Sequence, residues 1–347
     1  MRLYLIWSNE LSLLLPERLS LLSISAQPSA STSRLNGLSA QSRTAEALLA
    51  AIVYADLFDY PLSPDEIGRF QVGTRLSLTE VLTALSTEPL LITALIERGG
   101  LYALRGREVV FDLRSMRASR SRQLWPRARR YVRLATRLPF VRFVAVTGAL
   151  AVDNLGARPD IDLLVVAATG RVWICRRALI LLVRLARLAG DELCPNYIIS
   201  ESNLRLDQRD FFTAHELSQM VPVAGAELYR QMIESNTWAT KYLPCAFDRA
   251  FRRVCRSRQG VIGQLLEAIL SHTVFNRWEQ WELDRMRKQL RPLLGKATEV
   301  ICSPEQCKGH TGLHRQSVLA RFVAALQSRE LYGPLQVVEW TLKADHE

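Results

Sequence analysis

Apolar residues recur at helical spacing shortly after the start of the chain. The recurring positions are Leu48, Ala51, Ile52, Ala55 and Phe58. Because residues three and four apart share one side of a helix, this pattern predicts an amphipathic helix that begins near Thr44. The preceding residues, 1–42, end in a serine-rich stretch without apolar periodicity. We interpret them as a flexible leader, since such a segment buries too little apolar surface to offset the entropy of ordering.

Two capping boxes predict the next two helices. In a capping box, an N-cap serine is followed three residues later by a glutamate, and each side chain accepts a hydrogen bond from the backbone N–H of the other residue. The first box is Ser63 with Glu66, and the second is Ser77 with Glu80. The sequence therefore predicts one helix directly after each serine.

A β-hairpin is predicted after the third helix. Two apolar runs, Leu90–Ile96 and Leu101–Leu104, flank Gly99 and Gly100, and glycine tolerates the positive φ of a tight turn. Three helices followed by a hairpin resemble a winged-helix module, which we place at residues 43–106.

The charge on this module argues against sequence-specific DNA binding. The third helix, which would enter the groove, contains Glu80 and neither lysine nor arginine. Contacts to phosphates supply much of the affinity for DNA, so we favour a packing or partner-binding module. Basic residues on the hairpin, Arg98, Arg105 and Arg107, leave DNA binding open as the alternative.

Three apolar runs further along the chain predict buried β-strands. They are Val141–Val146, Asp160–Val166 and Cys194–Ser200. A basic connecting helix, residues 107–138, precedes the first strand. Beyond residue 245 the pattern is helical, and we predict a helical C-terminal region, residues 246–347. Its aromatic stripe at Trp278 and Trp281 is typical of core packing or of a dimer surface.

Two carboxylates begin the second of these strands. Asp160 and Asp162 are two residues apart, so on a strand both side chains point to the same face. Two negative charges held that close are unfavourable unless a cation neutralises them, and Mg²⁺ prefers carboxylates together with substrate phosphates. Gly148 lies twelve residues earlier and would let the backbone approach those phosphates. The spacing predicts one metal and phosphate site.

The segment TGALAVDNLGARPDIDLLVV resembles the nucleotidyltransferase superfamily, typified by DNA polymerase β and by the minimal nucleotidyltransferases. That family's pattern is a strand, a Gly-Ser turn into a helix, and an Asp-x-Asp that opens the next strand. A closer resemblance is to bacterial nucleotidyltransferase-domain proteins with a winged-helix-like front. Those proteins share the W-x-x-R pattern of Trp173–Arg176 and the Ala-His-Glu segment at 214–216. The resemblance covers roughly residues 44–244.

The resemblance implies an α/β (α+β) nucleotidyltransferase-like core with a mixed sheet at residues 139–245. It also implies a reaction in which a nucleoside monophosphate moves from a nucleoside triphosphate to an acceptor that the sequence does not identify. Asp160 and Asp162 would be catalytic and would bind Mg²⁺ or Mn²⁺. The nucleotide would lie against Thr147, Gly148 and Ala149, with Arg176 as a further phosphate contact.

Two departures from the family pattern favour a second hypothesis. The turn serine is replaced by Ala149, and the third strand contains Asn196 where the family has an acid, although Asp191 and Glu192 lie just upstream. An amide can ligate a metal but cannot act as a general base. The alternative is therefore a catalytically weakened relative that acts as a nucleotide-sensing or nucleic-acid-associated interaction protein.

The net charge of +11 is concentrated in one segment. Residues 114–142 contain ten arginines and no aspartate, glutamate or lysine, whereas the rest of the chain is nearly neutral. One interpretation is a solvated helix face. The other is a surface for phosphates of a nucleotide or of a nucleic acid, because fixed cations attract polyanions and release their counterions.

Two weaker patterns each have a structural explanation. His215 could be a substrate contact, but Thr213 and Glu216 around it would also form a capping box. Farther along, one cluster has the residue types of a zinc site, with an ordinary loop before a helix at 315–326 as the alternative. The cluster consists of Cys302, Cys307, His310 and His314.

Composition limits the remaining possibilities. The most membrane-like run, Ala178–Leu188, is interrupted by Arg184 and Arg187 and is shorter than the roughly 20 residues that a span needs. We therefore predict no transmembrane helix and no membrane partner. The six cysteines show no disulfide-framework spacing, which is typical of a reducing compartment. We predict a cytoplasmic protein.

Overall fold

The computed structural model describes residues 40–248, 261–272, 274–291, 299–310 and 314–344. Within these ranges the chain forms 13 α-helices, a two-stranded hairpin and a six-stranded mixed sheet. Most of the predicted leader, residues 1–39, lies outside the described residues. The prediction of a mixed α/β protein is confirmed at this level.

The first three helices are those that the sequence predicts. They are α1 (Ala40–Asp56), α2 (Pro64–Phe70) and α3 (Leu78–Thr87). Both capping boxes form. The N–H of Ser63 donates to the Glu66 carboxylate at 2.8 Å, and the N–H of Ser77 donates to the Glu80 carboxylate at 2.7 Å. Each serine hydroxyl accepts the reciprocal bond. These local hydrogen bonds fix where α2 and α3 begin.

The hairpin forms, but its first strand is shorter than predicted. Helix α4 (Pro89–Ala94) occupies most of the run that we assigned to a strand, and β1 (Leu95–Arg98) pairs with β2 (Leu101–Leu104). Gly99 and Gly100 have φ of 61° and 76°, as the turn requires. The error arises because a short apolar run fits a buried helix as well as a strand, and Pro89 is suited to a first helical turn.

The middle of the chain alternates helices and strands, and its predicted strands are confirmed. The elements are α5 (Val109–Ala135), β3 (Val141–Thr147), α6 (Gly148–Ala151), β4 (Ile161–Ala167), α7 (Val172–Leu188) and β5 (Leu193–Ser200). Helix α5 is the predicted basic connecting helix. The site predicted from the sequence therefore lies at the α6 turn and the beginning of β4.

The last part of the chain adds strands that the sequence did not predict. Its elements are α8 (Phe211–Gln219), β6 (Val221–Ala224), α9 (Ala226–Ser235), a turn of 3₁₀ helix (Thr237–Lys241), α10 (Val261–Leu270), α11 (Val274–Leu290), β7 (Glu299–Cys302), β8 (Gln306–His310), α12 (His314–Gln327) and α13 (Tyr332–Ala344). The prediction of a wholly helical C-terminal region is wrong, because β7 and β8 belong to the main sheet.

The strand order of this sheet is β6-β3-β4-β5-β8-β7. β4 is antiparallel to β3 and parallel to β5, whereas β8 runs antiparallel to β5. Strands β4 and β5 are therefore central, and nearly all of their residues are buried, as expected for strands covered on both faces.

Two apolar cores cover the two faces of the sheet. On the first face, side chains such as Phe143 and Leu164 pack with α1, α2, α8, α9, α12 and α13. On the second face, side chains such as Ile161 and Leu163 pack with α5, α7 and α11. Side chains alternate along a strand, so Asp162 of β4 belongs to the first face, together with Leu164.

Candidate active site

The turn glycine and the second aspartate meet in the structure. Asp162 pairs in register with Thr147, the last residue of β3, and Gly148 follows directly with φ +65°. A Cβ atom added to Gly148 would lie only 2.2 Å from Oδ2 of Asp162. The carboxylate therefore occupies the space that a side chain at position 148 would need, and only glycine fits there.

Asp160 adds a second negative charge at this position. It immediately precedes β4, and both its side chain and that of Asp162 are half-buried. Burial raises the pKa of both carboxyls, and the charge of Asp160 raises the pKa of Asp162 further. The two side chains thus repel each other when ionised, which is the electrostatic condition under which a bound cation stabilises a site.

A chain of hydrogen bonds from β5 holds Asp162. The thiol of Cys194 donates to Oδ1 of Asn196 at 2.8 Å, and the Asn196 amide in turn donates to Oδ1 of Asp162. Burial keeps the pKa of the Cys194 thiol above its ordinary value, so this group remains protonated and available as a donor. Asn196, which we predicted at the third-strand position, therefore acts as a hydrogen-bond donor to the acid.

A β-bulge makes this contact possible. Asp162 and Leu164 of β4 pair with Cys194 and Tyr197 of β5, so β5 contains one extra residue in the interval. Bulges occur beside functional sites and redirect a side chain. The sequence does carry a signal for it, since Pro195 lies inside the strand and proline within a strand marks a bulge or an edge.

His215 and Glu216 of the Ala-His-Glu segment lie in different environments. His215 is only 3% exposed, and its ring stacks on Tyr54 with centroids 4.1 Å apart. His215, which the sequence suggested as a substrate contact, is therefore enclosed in the first core and is not open to a ligand. Its neighbour Glu216 is half-buried, and its charge helps to raise the pKa of Asp162. Glu216 therefore acts on Asp162 through its charge.

The predicted capping box at Thr213 is also wrong. Helix α8 begins earlier, and Asp210 is its N-cap, with its carboxylate accepting from the N–H of Thr213 at 2.8 Å. Thr213 lies in the first turn, where its own N–H needs this partner.

We expect burial of His215 to make the protein less stable in acid. Burial lowers its pKa from 6.5 to about 3, so between these values the unfolded chain binds a proton that the folded protein does not. Stability is therefore lost as the pH falls from 6.5 towards 3. Between pH 7.5 and pH 5, titration of His215 should lower the free energy of unfolding by about 2 kcal/mol.

Urea unfolding of the natural protein and of a His215→Phe variant at both pH values tests this expectation. Phenylalanine keeps an aromatic ring against Tyr54 but does not titrate. The variant should lose about 2 kcal/mol less stability than the natural protein over this interval. Equal losses in the two proteins would show that His215 titrates normally in the fold.

Arg176 does not belong to the site. It lies on α7, which covers the second face of the sheet, whereas Asp162 belongs to the first. The Arg176 side chain is 1% exposed and forms an ion pair with Glu282 of α11 at 3.3 Å. Arg176, which the sequence suggested as a phosphate contact, is instead buried, because a helix that packs on a sheet buries the side chains of its inner face.

The other residues of the predicted nucleotide site differ in their exposure and contacts. Gly148 is exposed and Thr147 is half-buried. Ala149 packs against the second apolar core. Asp191, an alternative third acid, is buried and accepts from the Tyr131 hydroxyl at 2.7 Å, with Arg127 as its ion-pair partner at 2.8 Å. These contacts give Asp191 a structural role.

The carboxylate pair fits one kind of divalent-cation site. Among the described residues, no three histidine, cysteine, aspartate or glutamate side chains converge as ligands of one metal ion. Mg²⁺ commonly binds to one or two carboxylates and completes its shell with waters and substrate phosphates. The pair Asp160 and Asp162 fits that mode of binding, and it does not fit a metal site built from protein ligands alone.

Several arginines of the 114–142 segment are engaged within the chain. Arg114 forms an ion pair with Glu66 at 2.8 Å, Arg117 with Asp59 at 3.0 Å, and Arg142 with Glu267 at 2.8 Å. Together with Arg127, four of the ten arginines therefore have carboxylate partners. These pairs attach α5 and β3 to neighbouring elements.

The three arginines of the hairpin are likewise engaged. Arg98 pairs with Asp112 at 2.6 Å, Arg107 pairs with Asp56 at 2.8 Å, and Arg105 donates to backbone carbonyls, including that of Thr93 at 2.9 Å. These interactions stabilise the hairpin against α1 and α5.

The predicted zinc cluster is only partly described. Cys302 and Cys307 face each other across the β7–β8 hairpin, and burial raises the pKa of both thiols. The His314 ring packs edge-on against Phe212, with centroids 5.7 Å apart. Residues 311–313 and the side chain of His310 lie outside the described residues. In the described part, these cysteines and His314 form no metal-binding group.

No helix in the described ranges combines the length and the apolar character needed to cross a membrane. Comparison with protein-family models, with curated proteins and with solved structures gives no match to this chain.

Proposed function

We propose that this protein transfers a nucleotidyl group from a nucleoside triphosphate to an acceptor hydroxyl, with Asp160 and Asp162 as the residues that hold a divalent cation. One observation carries the proposal: the Asp162 carboxylate lies against Gly148, at the turn that follows β3. A glycine turn and an aspartate pair that begins twelve residues later thus lie close together in the fold, which supports the proposal. Two carboxylates beside a glycine turn are a donor set that metal-dependent nucleotidyl transfer could use.

The residues of the proposed site would contribute to transfer in different ways. Mg²⁺ or Mn²⁺ bound by Asp160 and Asp162 would neutralise phosphate charge and promote departure of pyrophosphate. Asn196 is a positioning residue, because its amide donates to Asp162 and fixes the orientation of the carboxylate. Gly148 has no side chain, which lets the Asp162 carboxylate lie against the turn that would face the nucleotide. Glu216 adds negative charge to the site.

A second candidate function is nucleotide binding without turnover. It is favoured by the contact between Asn196 and Asp162. A neutral amide lies at the position where the nucleotidyltransferase superfamily, which the sequence resembles, has an acid. An amide cannot remove a proton from an acceptor hydroxyl. On this hypothesis the protein senses nucleotide and changes its interaction with a partner.

The test compares the natural protein with Asp160→Asn and Asp162→Asn variants. We expect nucleoside triphosphates with Mg²⁺ or Mn²⁺ to raise the melting temperature of the natural protein and of neither variant. Without metal, the Asp162→Asn variant should be at least as stable as the natural protein, because the substitution removes the repulsion between two half-buried carboxylates. Thermal unfolding and calorimetric titration measure both effects.

Pyrophosphate release then separates the two candidate functions. Metal-dependent release that both variants abolish supports transfer, whereas binding without release supports nucleotide sensing. The matched control is Asp284→Asn, since Asp284 is an exposed aspartate of α11. Absence of any metal-dependent nucleotide binding by the natural protein would refute both candidates.

A further inference from the structure

The outer side of α7 exposes a stripe of leucines. Leu181 is 60% exposed, Leu185 is 61% exposed and Leu188 is 87% exposed. Their spacing of four and three residues puts them on one face of the helix. The opposite face of α7 is buried in the second core of the sheet, so the three exposed leucines take no part in packing α7 against the sheet. Apolar stripes of this kind mark interaction surfaces.

Arginines flank the stripe on α7 and continue on the neighbouring helix. Arg184 is exposed between Leu181 and Leu185. Helix α5 covers the same face of the sheet beside α7, so the outer sides of both helices point away from the sheet. On α5 the exposed residues are Arg130, Arg133, Leu134 and Arg137. We call these residues of α5 and α7 the leucine–arginine face.

Within the described part of the chain, the leucine–arginine face itself contains no acidic residue. The sequence contains no aspartate or glutamate between Asp112 and Asp153, or between Asp162 and Asp191. Asp191, at the end of α7, is buried and already bound by Tyr131 and Arg127. Within the described ranges, Arg130, Arg133, Arg137 and Arg184 form no ion pair. The face therefore presents uncompensated positive charge next to exposed leucines.

An apolar groove opens beside the stripe. Its volume is about 290 Å³, and its walls include Pro139, Ile174, Ala178, Leu181, Leu270 and Trp278. Arg177 and Arg184 also line it, so the groove combines an apolar floor with two cations. One helical turn from Trp278, the side chain of Trp281 is 54% exposed. Tryptophan beside leucine and arginine, as Trp278 lies in this groove, is typical of surfaces that enter the interface of a bilayer.

The binding partner of this face must supply both negative charge and an apolar environment. A second copy of the chain in a symmetric dimer would oppose arginines to arginines, which is repulsive. A nucleic acid would neutralise the arginines but would leave the leucines in water. A bilayer of anionic phospholipids satisfies both groups at once, because its phosphates meet the arginines and its acyl boundary accepts the leucines.

We infer that the leucine–arginine face binds the surface of an anionic phospholipid membrane, which departs from the expectation from the sequence that the protein has no membrane partner. The protein associates through α5 and α7 without crossing the bilayer. Binding requires the arginines and the leucines together, and it does not depend on the proposed nucleotidyl transfer, because the carboxylate pair belongs to the opposite face of the sheet.

Flotation with lipid vesicles tests this inference on the full-length protein. We expect the protein to float with phosphatidylcholine vesicles that contain 30% phosphatidylglycerol, and not with pure phosphatidylcholine. Leu185→Gln/Leu188→Gln should weaken binding at least tenfold. Arg133→Gln/Arg184→Gln should weaken it by about fivefold per arginine, and added salt should weaken binding of the natural protein. Tryptophan fluorescence should shift to the blue on binding, and less so in a Trp281→Phe variant.

Matched controls carry the same substitutions elsewhere. Leu78→Gln/Leu82→Gln changes two leucines of α3 that are also exposed, and Arg321→Gln changes an exposed arginine of α12. Neither should alter flotation. No flotation with the anionic vesicles, or equal flotation of the Leu185/Leu188 variant, overturns the inference. Oligonucleotide binding, measured by fluorescence anisotropy, identifies a nucleic-acid partner. If the arginine substitutions abolish oligonucleotide binding, the leucine substitutions leave it unchanged and the protein does not bind vesicles, then the face binds nucleic acid and the inference is wrong.

Discussion

Replacing Gly148 with alanine should abolish metal-dependent nucleotide binding and destabilise the protein. The new Cβ would lie 2.2 Å from Oδ2 of Asp162, so either the carboxylate or the turn must move. The φ of +65° is also unfavourable for alanine. Together these effects should cost about 2–4 kcal/mol of stability. Urea unfolding measures this cost, and calorimetric titration with nucleotide and Mg²⁺ measures the loss of binding.

Gly99→Ala is the matched control for this prediction. Gly99 has a similar φ, 61°, but no atom lies within 4 Å of the position where its Cβ would be. Gly99→Ala should therefore cost only the backbone strain, about 1 kcal/mol, and leave nucleotide binding intact. In the double variant Gly148→Ala/Asp162→Ala, part of the stability should return because the clash is removed, but binding should not. A Gly148→Ala protein that binds nucleotide normally would show that this turn lies away from the nucleotide.

The second large effect is expected at Glu282, which is buried at the contact between α7 and α11. Its carboxylate pairs with Arg176 at 3.3 Å and with Arg285 at 2.8 Å, and both Arg176 and Glu282 have side chains that are 1% exposed. Glu282→Ala leaves the guanidinium of Arg176 buried without this carboxylate. The expected loss of stability is about 3–5 kcal/mol, the usual cost of removing one partner of a buried pair. Urea unfolding measures it.

An exposed pair provides the comparison for Glu282. Glu227 and Arg230 form an ion pair on the surface of α9, with both side chains more than half exposed. Glu227→Ala should cost less than about 1 kcal/mol. Combining Arg176→Met with Glu282→Leu should recover much of the loss, because apolar side chains of similar volume replace a buried pair at little cost. A small effect of Glu282→Ala alone would mean that water reaches Arg176.

Features encoded by neighbouring residues could be predicted from the sequence. The capping boxes at Ser63 and Ser77 depend on two side chains three residues apart, and both form as predicted. The carboxylate pair and the turn glycine could likewise be located, because strand alternation and a short spacing determine which side chains share a face. The contact between Gly148 and Asp162 follows from this local geometry.

Features that depend on distant partners could not be predicted. Strands β7 and β8 are short and of mixed polarity, and only pairing with β5 makes them strands. Helix α4 and a strand compete for the same apolar run, and tertiary packing decides between them. The role of Arg176 is set by Glu282, more than a hundred residues away along the chain. The hydrogen bond from Asn196 depends on a bulge that registers β5 against β4.

The position of β8 in the sheet has a consequence for synthesis of the protein on the ribosome. Residues Tyr197–Ile199 of β5 pair with Gln306–Lys308 of β8, so one edge of β5 stays unpaired until roughly 100 further residues have been translated. At about 5–20 residues per second, this delay lasts roughly 5–20 seconds. During that time the nascent chain carries an open, apolar strand edge next to the carboxylate site, which is a template for intermolecular pairing. Chaperones that shield strand edges should therefore matter most for this protein before its last helices emerge.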